Sequence, residues 1–158
     1  MYRCIAGELN PVKKSEDGIR ELDRQECLRL LATARVGRIV HTRHALPAVL
    51  PVPFCLDADS AVIARTSADS QLVCAIDRVV VAFQADEVDP AAHSGWSVVV
   101  TGRATAVTDP TEHGRLRRTG PRSWRASRYD IYFHIEPELV TGSEFGARRL
   151  LHETRRTS

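Results

Sequence analysis

The chain has 158 residues, which is enough for one domain that buries about two thirds of the surface exposed by its unfolded chain. Apolar residues make up 43% of the chain and charged residues 27%, a balance that argues against a disordered or fibrous protein. The formal net charge of +2 is too small to indicate nucleic-acid binding, and no apolar run approaches the roughly 20 residues of a membrane helix.

The first segment, residues 1–20, contains "KKSEDG" and little periodic apolar character, so we predict a flexible arm. It lacks the continuous apolar core of a secretory signal, and we therefore expect a cytoplasmic protein. The cysteines are widely separated, with none of the paired spacings that bind zinc, and we expect reduced thiols. They are Cys4, Cys27, Cys55 and Cys74.

Order is predicted to begin near Glu21 with a short amphipathic helix. Asp23 is followed three residues later by Glu26, which is the spacing of a capping box. Apolar residues then recur at helical spacing. They are Cys27, Leu30, Leu31 and Ala34.

Three extended runs follow, at residues 36–43, 47–57 and 61–66, separated by short turn-like segments. They predict an antiparallel meander. Pro51 and Pro53 lie two apart in the second run, so both missing N–H groups fall on one edge of that strand. We expect this strand to pair fully on one side only, which leaves a backbone edge for a ligand.

The rest of the chain alternates short strands with two further helices. A helix is predicted within residues 67–77, capped by Ser67 or Asp69, and another within 109–118. Further strands are predicted at residues 78–86, 95–107, 128–136 and 138–142. The connections are too short for serial parallel crossovers, so the predicted fold class is mainly β with short helices, an antiparallel closed or nearly closed barrel.

The stretch "ARTSADSQL" is a candidate phosphate site. Arg65 and Thr66 end a predicted strand, and a serine-containing turn leads into a helix. Forked guanidinium donors, hydroxyls and the unpaired N–H groups of a helix start all favour a phosphate. The simpler alternative is a solvent-facing strand end with an ordinary helix cap.

The stretch "SGWSVVVTGRATAV" raises two alternatives for Trp96. A tryptophan that opens a long strand usually fills a core. The small pair Ser94 and Gly95 before it would also let another backbone or a flat ring approach. Arg103 in the same strand is interpreted as a surface charge.

No residue is identified as a catalytic acid, base or nucleophile, and no metal site is predicted. His41 and His44 form an HxxH whose odd spacing in a strand sends the two side chains to opposite faces. Together with Arg38, they are candidates for lining a groove.

Residues 115–128 are rich in arginine around Trp124. Such a stripe could bind a polyanionic substrate or RNA, but the nearly balanced charge of the chain favours a solvated loop. The arginines are Arg115, Arg117, Arg118, Arg122, Arg125 and Arg128.

The order "LDRQECLRLLATARVGRIV", "LPAVLPVPFCLD", "AVIARTSADSQL", "VVVAFQADEVD" and "SGWSVVVTGRATAV" resembles the pyridoxamine 5'-phosphate oxidase-like family of flavin-binding split barrels, in particular its nitroimidazole-resistance-type branch. The resemblance covers residues 21 to about 142. It implies a split β-barrel and a homodimer with FMN in a groove between subunits. We accordingly predict a flavin-binding domain over 21–145 and a C-terminal tail over 146–158.

The resemblance also implies the residues that border the cofactor. Trp96 and Ser97 would lie beside the flavin groove. Backbone groups of Val49, Leu50, Pro51 and Val52 would contact the ring. The phosphate and ribityl chain would be held by Arg65, Thr66, Ser67, Ser70 and Gln71, with Gln71 where the family commonly has lysine.

The implied activity is an FMN-dependent oxidoreductase that acts on a small organic molecule, with electrons from a reduced nicotinamide or a similar donor. One alternative is a flavin-binding or storage module without turnover. Another is the same fold with a deazaflavin coenzyme or haem.

Overall fold

The computed structural model describes residues 18–68, 70–124 and 129–146. They form eight strands and three short helices. In chain order these are β1 (Ile19–Glu21), α1 (Arg24–Thr33), β2 (Val36–Arg43), β3 (Leu46–Leu56), β4 (Val62–Ser67), α2 (Leu72–Ile76), β5 (Val80–Asp89), β6 (Ser94–Ala106), α3 (Pro110–Thr119), β7 (Asp130–Ile135) and β8 (Leu139–Phe145). The predicted class, mainly antiparallel β with short helices, is confirmed.

Six strands close into a barrel. The order β6-β5-β2-β3-β4-β7 returns to β6 through a second pairing of β6 with β7, and every pairing is antiparallel. Strands β8 and β1 extend the sheet beyond β6. The predicted meander is confirmed as β2-β3-β4.

The barrel splits at β6, and Gly102 marks the place. Residues 95–101 of β6 pair with β8, whereas residues 104–106 pair with β7. A Cβ at Gly102 would lie 1.6 Å from the carbonyl oxygen of Glu136, so the connection from β7 to β8 crosses β6 where there is no side chain. The glycine in "TGRA" therefore permits β6 to change partners.

Helix α1 begins as predicted. The carboxylate of Asp23 accepts from the backbone N–H of Glu26 at 2.8 Å, and the Glu26 carboxylate accepts from the N–H of Asp23 at 2.9 Å. Cys27 and Leu31 are buried, and a Cβ at Gly142 of β8 would lie 2.7 Å from the Cys27 sulfur. The helix thus covers the inner face of the sheet beside β8.

Two predicted boundaries are wrong. Ile19 and Arg20, placed in the arm by the sequence, pair with β8 in strand β1, while residues 1–17 and 147–158 lie outside the described residues. Ser67 does not cap α2, because pairing with Asp130 of β7 keeps it in strand β4. Helix α2 has only five residues and follows Gln71, which makes no side-chain cap, and the alternative cap, Asp69, lies outside the described residues.

Apolar side chains fill two separate clusters. The main cluster occupies the barrel interior, where the rings of Phe54 and Phe83 meet edge to face at 4.7 Å. A second, smaller cluster lies on the outside of β4 and β7 beneath α3, and consists of Ile63, Leu116 and Tyr132. This second cluster is where the predicted phosphate arginine lies.

Candidate functional site

The edge of β3 that faces away from β2 is the first element of the site. Residues 46–53 of β3 pair with β2, and only residues 54–56 pair with β4. No other strand in the described part of the chain pairs with residues 46–53. The one-sided pairing predicted from the prolines is therefore confirmed.

The hairpin turn determines which backbone groups face this open edge. His44 and Ala45 both have positive φ, as a two-residue type I′ turn requires, so Arg43 and Leu46 form a hydrogen-bonded pair. Hydrogen-bonded and non-bonded pairs then alternate along the hairpin. Even-numbered residues of β3 bond to β2, and odd-numbered residues 47–53 point to the open edge.

Three of those four outward positions are prolines, Pro47, Pro51 and Pro53. In residues 47–53, all of which are described, the N–H of Val49 is thus the single backbone donor at the edge, among four outward carbonyl oxygens. Missing donors prevent another strand from pairing there. The edge is suited to a small planar ligand that accepts one hydrogen bond and donates another.

The end of β4 forms the other side of the opening. Beyond Phe54 and Ala64 the two strands part, since residues 65–67 of β4 pair with β7. The turn that follows is closed by a bond of 3.0 Å from the Ser70 N–H to the Ser67 carbonyl oxygen. Four of the predicted phosphate residues therefore lie together in one strand end and turn, namely Thr66, Ser67, Ser70 and Gln71.

Arg65 differs from the free cation that the sequence suggests. Its Nη2 donates to the carboxylate of Asp130, and its Nη1 donates to the carbonyl oxygen of Pro121 at 3.1 Å. The guanidinium carbon lies 5.6 Å from the ring centre of Tyr132. The side chain of Arg65 is 17% exposed and that of Asp130 is 11% exposed, so the charge of Arg65 is neutralised in a largely buried ion pair.

The surroundings of this ion pair contain buried polar atoms without partners. His113 bonds through Nε2 to the carbonyl oxygen of Asp130 at 2.8 Å, and its ring meets that of Tyr132 edge to face at 5.1 Å. Within the described residues, Arg65 Nε and the Tyr132 hydroxyl are buried and make no hydrogen bond. Burial raises the pKa of Tyr132, so this hydroxyl stays protonated in neutral solution.

Trp96 lies in the core cluster with 7% of its surface exposed. In the folded chain the side chain of Trp96 therefore fills part of the core. A Cβ on the preceding Gly95 would lie 2.7 Å from the ring of Phe145 and 2.4 Å from the Glu87 carbonyl oxygen. The ring and the backbone that approach Gly95 are thus those of Phe145 and Glu87, within the same chain.

Ser97 faces the outside of the sheet, in a polar network that the sequence analysis missed. Gln84 Nε2 donates to Ser97 Oγ at 3.3 Å and to the Asp86 carboxylate at 2.9 Å. Arg38 Nη1 donates to the Gln84 side-chain oxygen at 3.0 Å and to the Asp86 carboxylate at 3.1 Å. The bond from Gln84, followed by the contact with Arg38, lowers the pKa of Asp86. These residues come from three strands, so only the register between strands brings them together.

Apolar side chains surround this network on the outer face of the sheet. Register and alternation place six exposed residues on that face. They are Ile19, Val36, Val49, Val80, Val88 and Leu139. Exposed apolar residues that share one face in this way indicate an interaction surface.

A family model described as pyridoxamine 5'-phosphate oxidase matches residues 23–144. The chain belongs to this family. The family resemblance stated from the sequence is thereby confirmed, and the match covers the whole barrel and helix α1.

Three relatives of this family member illustrate the match. The uncharacterized protein Rv0080 of Mycobacterium tuberculosis is 46% identical over 127 residues, which are 77% of this chain and 82% of the relative. The FAD binding protein from Mycobacterium smegmatis, whose structure is solved, is 30% identical in sequence to this chain and superposes with a TM-score of 0.70. The match covers 81% of this chain and 99% of that protein's chain. The conserved protein of unknown function DIP1874 from Corynebacterium diphtheriae is 30% identical with a TM-score of 0.68, covering 82% and 99%.

The two histidines of the HxxH lie in different surroundings. His41 is a buried residue of β2 whose Nδ1 has no hydrogen-bond partner among the described residues, and His44 lies in the hairpin turn. In the ranges that the structure describes, no three His, Cys, Asp or Glu side chains are grouped to hold a metal ion. None of the described helices is long and apolar enough to cross a membrane.

The arginine-rich segment is partly described. Arg115 forms an ion pair with Glu112 one turn earlier on α3, so it is a helix-surface residue. Arg117, Arg118 and Arg122 are exposed, whereas Arg125 and Arg128 lie outside the described residues. Pro121, which follows α3, lies beside the end of β4, because its carbonyl oxygen accepts from Arg65.

Proposed function

We propose that this protein binds a flavin nucleotide along the open edge of β3 and uses it as an oxidoreductase on a small organic substrate, with electrons from a reduced nicotinamide or a similar donor. The observation that carries the proposal is the edge of residues 47–53, with one N–H at Val49 among outward carbonyl oxygens. When bound, the flavin supplies the electron or hydride transfer.

The residues of the edge fit the polar rim of a flavin ring, which presents carbonyl and nitrogen acceptors beside one N–H donor. Val49 would donate to an acceptor of the rim, and the carbonyl oxygens of Val49 and Pro51 would accept from the donor. Leu50 and Val52 were also predicted to contact the ring. Their backbones bond to β2 and their side chains face the core, so they would fix the position of β3. Thr66, Ser67, Ser70 and Gln71 would face the ribityl chain and the phosphate.

The sequence resemblance favours FMN, and the M. smegmatis relative is named for FAD. Both flavins carry the same ring, so the contact with the edge of β3 is common to them. Reconstitution with each flavin, followed by titration, identifies the one that the protein prefers.

We also propose a homodimer in the cytoplasm. The outer face of the sheet exposes apolar residues that include Val36, Val80 and Val88, and a second copy of this face would cover them. The thiols of Cys27, Cys55 and Cys74 are free, as a reducing compartment would keep them.

The test of flavin binding is Val49→Pro, which removes the last donor from the edge. No strand in the described ranges pairs with the N–H of Val49, so the substitution should leave the unfolding temperature nearly unchanged. We expect it to weaken flavin binding by about tenfold or more, since an unmatched buried acceptor costs about 1–3 kcal/mol. Flavin fluorescence quenching measures the dissociation constant.

The matched control is Val49→Ala, which keeps the N–H and should bind flavin nearly as the parent does. Equal affinity of Val49→Pro and the parent protein would contradict the proposal. The absorbance spectrum of the purified protein separates flavin from the deazaflavin coenzyme and haem. Reduction of the bound flavin by NADH or NADPH separates an oxidoreductase from a storage module.

A further inference from the structure

We propose that the guanidinium of Arg38 lies against the flavin ring at the open edge of β3 and makes the bound flavin easier to reduce. The inference rests on the proposed flavin function and adds to that site a side chain that tunes the cofactor. Three observations carry it: the place of Arg38 opposite the edge, the way its side chain is held, and the position of its counter-charge.

Arg38 is the charged residue nearest the open edge on the outer face of the sheet. Four residues of β2 pair with the outward positions 53, 51, 49 and 47 of β3, namely Val36, Arg38, Val40 and Thr42. Arg38 alone among these four carries a charge, and it lies directly across from Pro51. Paired residues project from the same face, and neighbouring strands lie about 4.8 Å apart. An arginine side chain on β2 can therefore reach a ring that is bound along the edge.

The outer side of β3 is the side that a ligand can approach. Val49 is 57% exposed and Pro51 is exposed, whereas the side chains of Leu50 and Val52 face the core cluster. A planar ligand that bonds to the backbone edge between residues 49 and 51 thus meets the outer face, which is the face that carries Arg38.

The side chain of Arg38 is held from one end. Its Nη1 makes both bonds to the polar network, to Gln84 at 3.0 Å and to Asp86 at 3.1 Å. Gln84 is itself fixed by its bond to Ser97. Within the described residues, Nε and Nη2 of Arg38 make no hydrogen bond, and the side chain is 46% exposed. A guanidinium that is oriented at one nitrogen keeps its other donors for a ligand.

The counter-charge of Arg38 lies on the side away from the edge. Asp86 belongs to β5, and the strand order β5-β2-β3 places β2 between this residue and the edge. From the spacing of strands, the backbone of β5 is about 10 Å from that of β3, and the backbone of β2 about half as far. The bond from Gln84, followed by the contact with Arg38, lowers the pKa of Asp86, so its carboxylate is ionised in neutral solution. The ion pair therefore turns its positive end toward the edge, although its net charge is zero.

A positive end at this position distinguishes the two oxidation states of a flavin. A hydride donor passes two electrons and one proton to the neutral oxidised ring, which then carries one negative charge. Arg38 would attract the charged reduced ring more strongly than the neutral oxidised ring. The side chain would thus raise the reduction potential of the bound flavin.

The experiment measures the midpoint potential of FMN and of FAD, which share the ring, bound to the parent protein and its variants in anaerobic titrations with redox dyes. Arg38→Gln removes the positive charge. We expect the ratio of affinities for reduced and oxidised flavin to fall about tenfold, which lowers a two-electron potential by about 30 mV. Asp86→Asn removes the opposing charge and should shift the potential the other way.

Two further variants serve as controls. Arg38→Lys keeps a cation and should keep the affinity ratio within about threefold of the parent value, since an ammonium is a point charge without the fork of arginine. Arg118→Gln removes an exposed cation from α3 and should leave the potential unchanged. Thermal unfolding verifies that each variant is folded, as the exposure of both side chains in the Arg38–Asp86 pair predicts.

An unchanged potential in Arg38→Gln would overturn this inference while leaving the flavin function intact. Equal losses of affinity for oxidised and reduced flavin would have the same consequence, because they would give Arg38 a purely structural part. A shift of Asp86→Asn in the same direction as Arg38→Gln would also contradict the orientation of the pair. Failure of the parent protein to bind either flavin would overturn the proposed function itself, and this inference with it.

Discussion

Arg65 shows how a residue's chemistry depends on a partner that its local sequence does not reveal. The stretch "ARTSADSQL" indicates a cation at a strand end, and the structure places it there. Asp130, which neutralises it, lies 65 residues further along the chain and meets it through the pairing of β4 with β7. The residue therefore holds Pro121, just after α3, against the barrel, in addition to any contact with a ligand.

Replacing Arg65 with alanine should destabilise the fold. The substitution leaves the carboxylate of Asp130 partly buried without its cation, and breaking a buried pair from one side costs about 3–5 kcal/mol. Urea unfolding measures the change in the free energy of unfolding. Arg122→Ala, at an exposed position, should change it by less than about 0.5 kcal/mol.

An Arg65→Ala protein as stable as its parent would contradict this role for the ion pair. The double substitution Arg65→Ala with Asp130→Ala should recover part of the loss, since it removes the unpaired charge. Flavin titrations of Arg65 variants are meaningful only when these unfolding curves show that the barrel is intact.

Gln71→Lys should raise the affinity for FMN. The new ammonium group would lie at the turn before α2, where the existing cation is already paired, and charge-assisted contacts are about twice as strong as neutral ones. The gain should be smaller for FAD and absent for riboflavin, which has no phosphate. Added salt should reduce it, because exposed charges are screened over about 8 Å near physiological ionic strength.

Fluorescence titrations with FMN and riboflavin at low and high salt measure this gain. Gln71→Met is the neutral control of similar size. An equal gain for riboflavin, or none for FMN, would mean that residue 71 does not face a phosphate.

Among the elements, the β2–β3 hairpin follows most directly from its local sequence. The prolines at 51 and 53 predict an edge that pairs on one side, and the structure has that edge. Proline lacks an N–H wherever it occurs, so this consequence needs no tertiary information. The start of helix α2 does not follow from its local sequence. Ser67 pairs with β7 in strand β4, so the helix begins only at Leu72.

The start of α1 should depend on pH through Glu26. The hydrogen bond from the Asp23 N–H, followed by that from Arg20, lowers the pKa of Glu26 below its ordinary value of 4.5. The folded protein then binds fewer protons than the unfolded chain does, so this stabilisation is present above pH 4.5 and is lost as the pH falls through the lowered value.

Glu26→Gln keeps a side chain that can accept from the Asp23 N–H but removes the titration. We expect the variant to be less stable than the parent near neutral pH, with the difference shrinking in acid. Thermal unfolding of both proteins above and below pH 4.5 measures it. A difference that stays constant across that range would show that the charge of Glu26 contributes nothing to the stability of the fold.

At the scale of the whole molecule, β6 organises the architecture. It pairs with β5 along one side and with β8 and then β7 along the other. The connection from β7 to β8 crosses β6 at Gly102, where no side chain is in the way. The sheet that results has one face in the core and one apolar outer face. The barrel thus carries its open β3 edge and this outer face on the same sheet.

The protein should be a dimer of about twice the chain mass of 17.6 kDa. Val80→Asp or Val88→Asp introduces a charge into the apolar outer face and should shift the protein toward monomer. Light scattering at micromolar concentration measures the mass. Thr111→Asp, at an exposed position of α3, is the control that should remain dimeric, and a parent protein that is monomeric under these conditions would count against the proposal.

The sequence by itself determined the features that rest on local chemistry. Capping residues determine where α1 begins, the alternation of apolar residues determines strands β2 to β6, and prolines determine the open edge of β3. Each of these features depends only on residues within a few positions in the sequence. Tertiary structure alone decided the ion pair of Arg65, the burial of Trp96, the network of Arg38, Asp86 and Ser97, and the strand β1. These depend on register between strands distant in the chain, and register is fixed only when the whole barrel closes and buries one face of every strand.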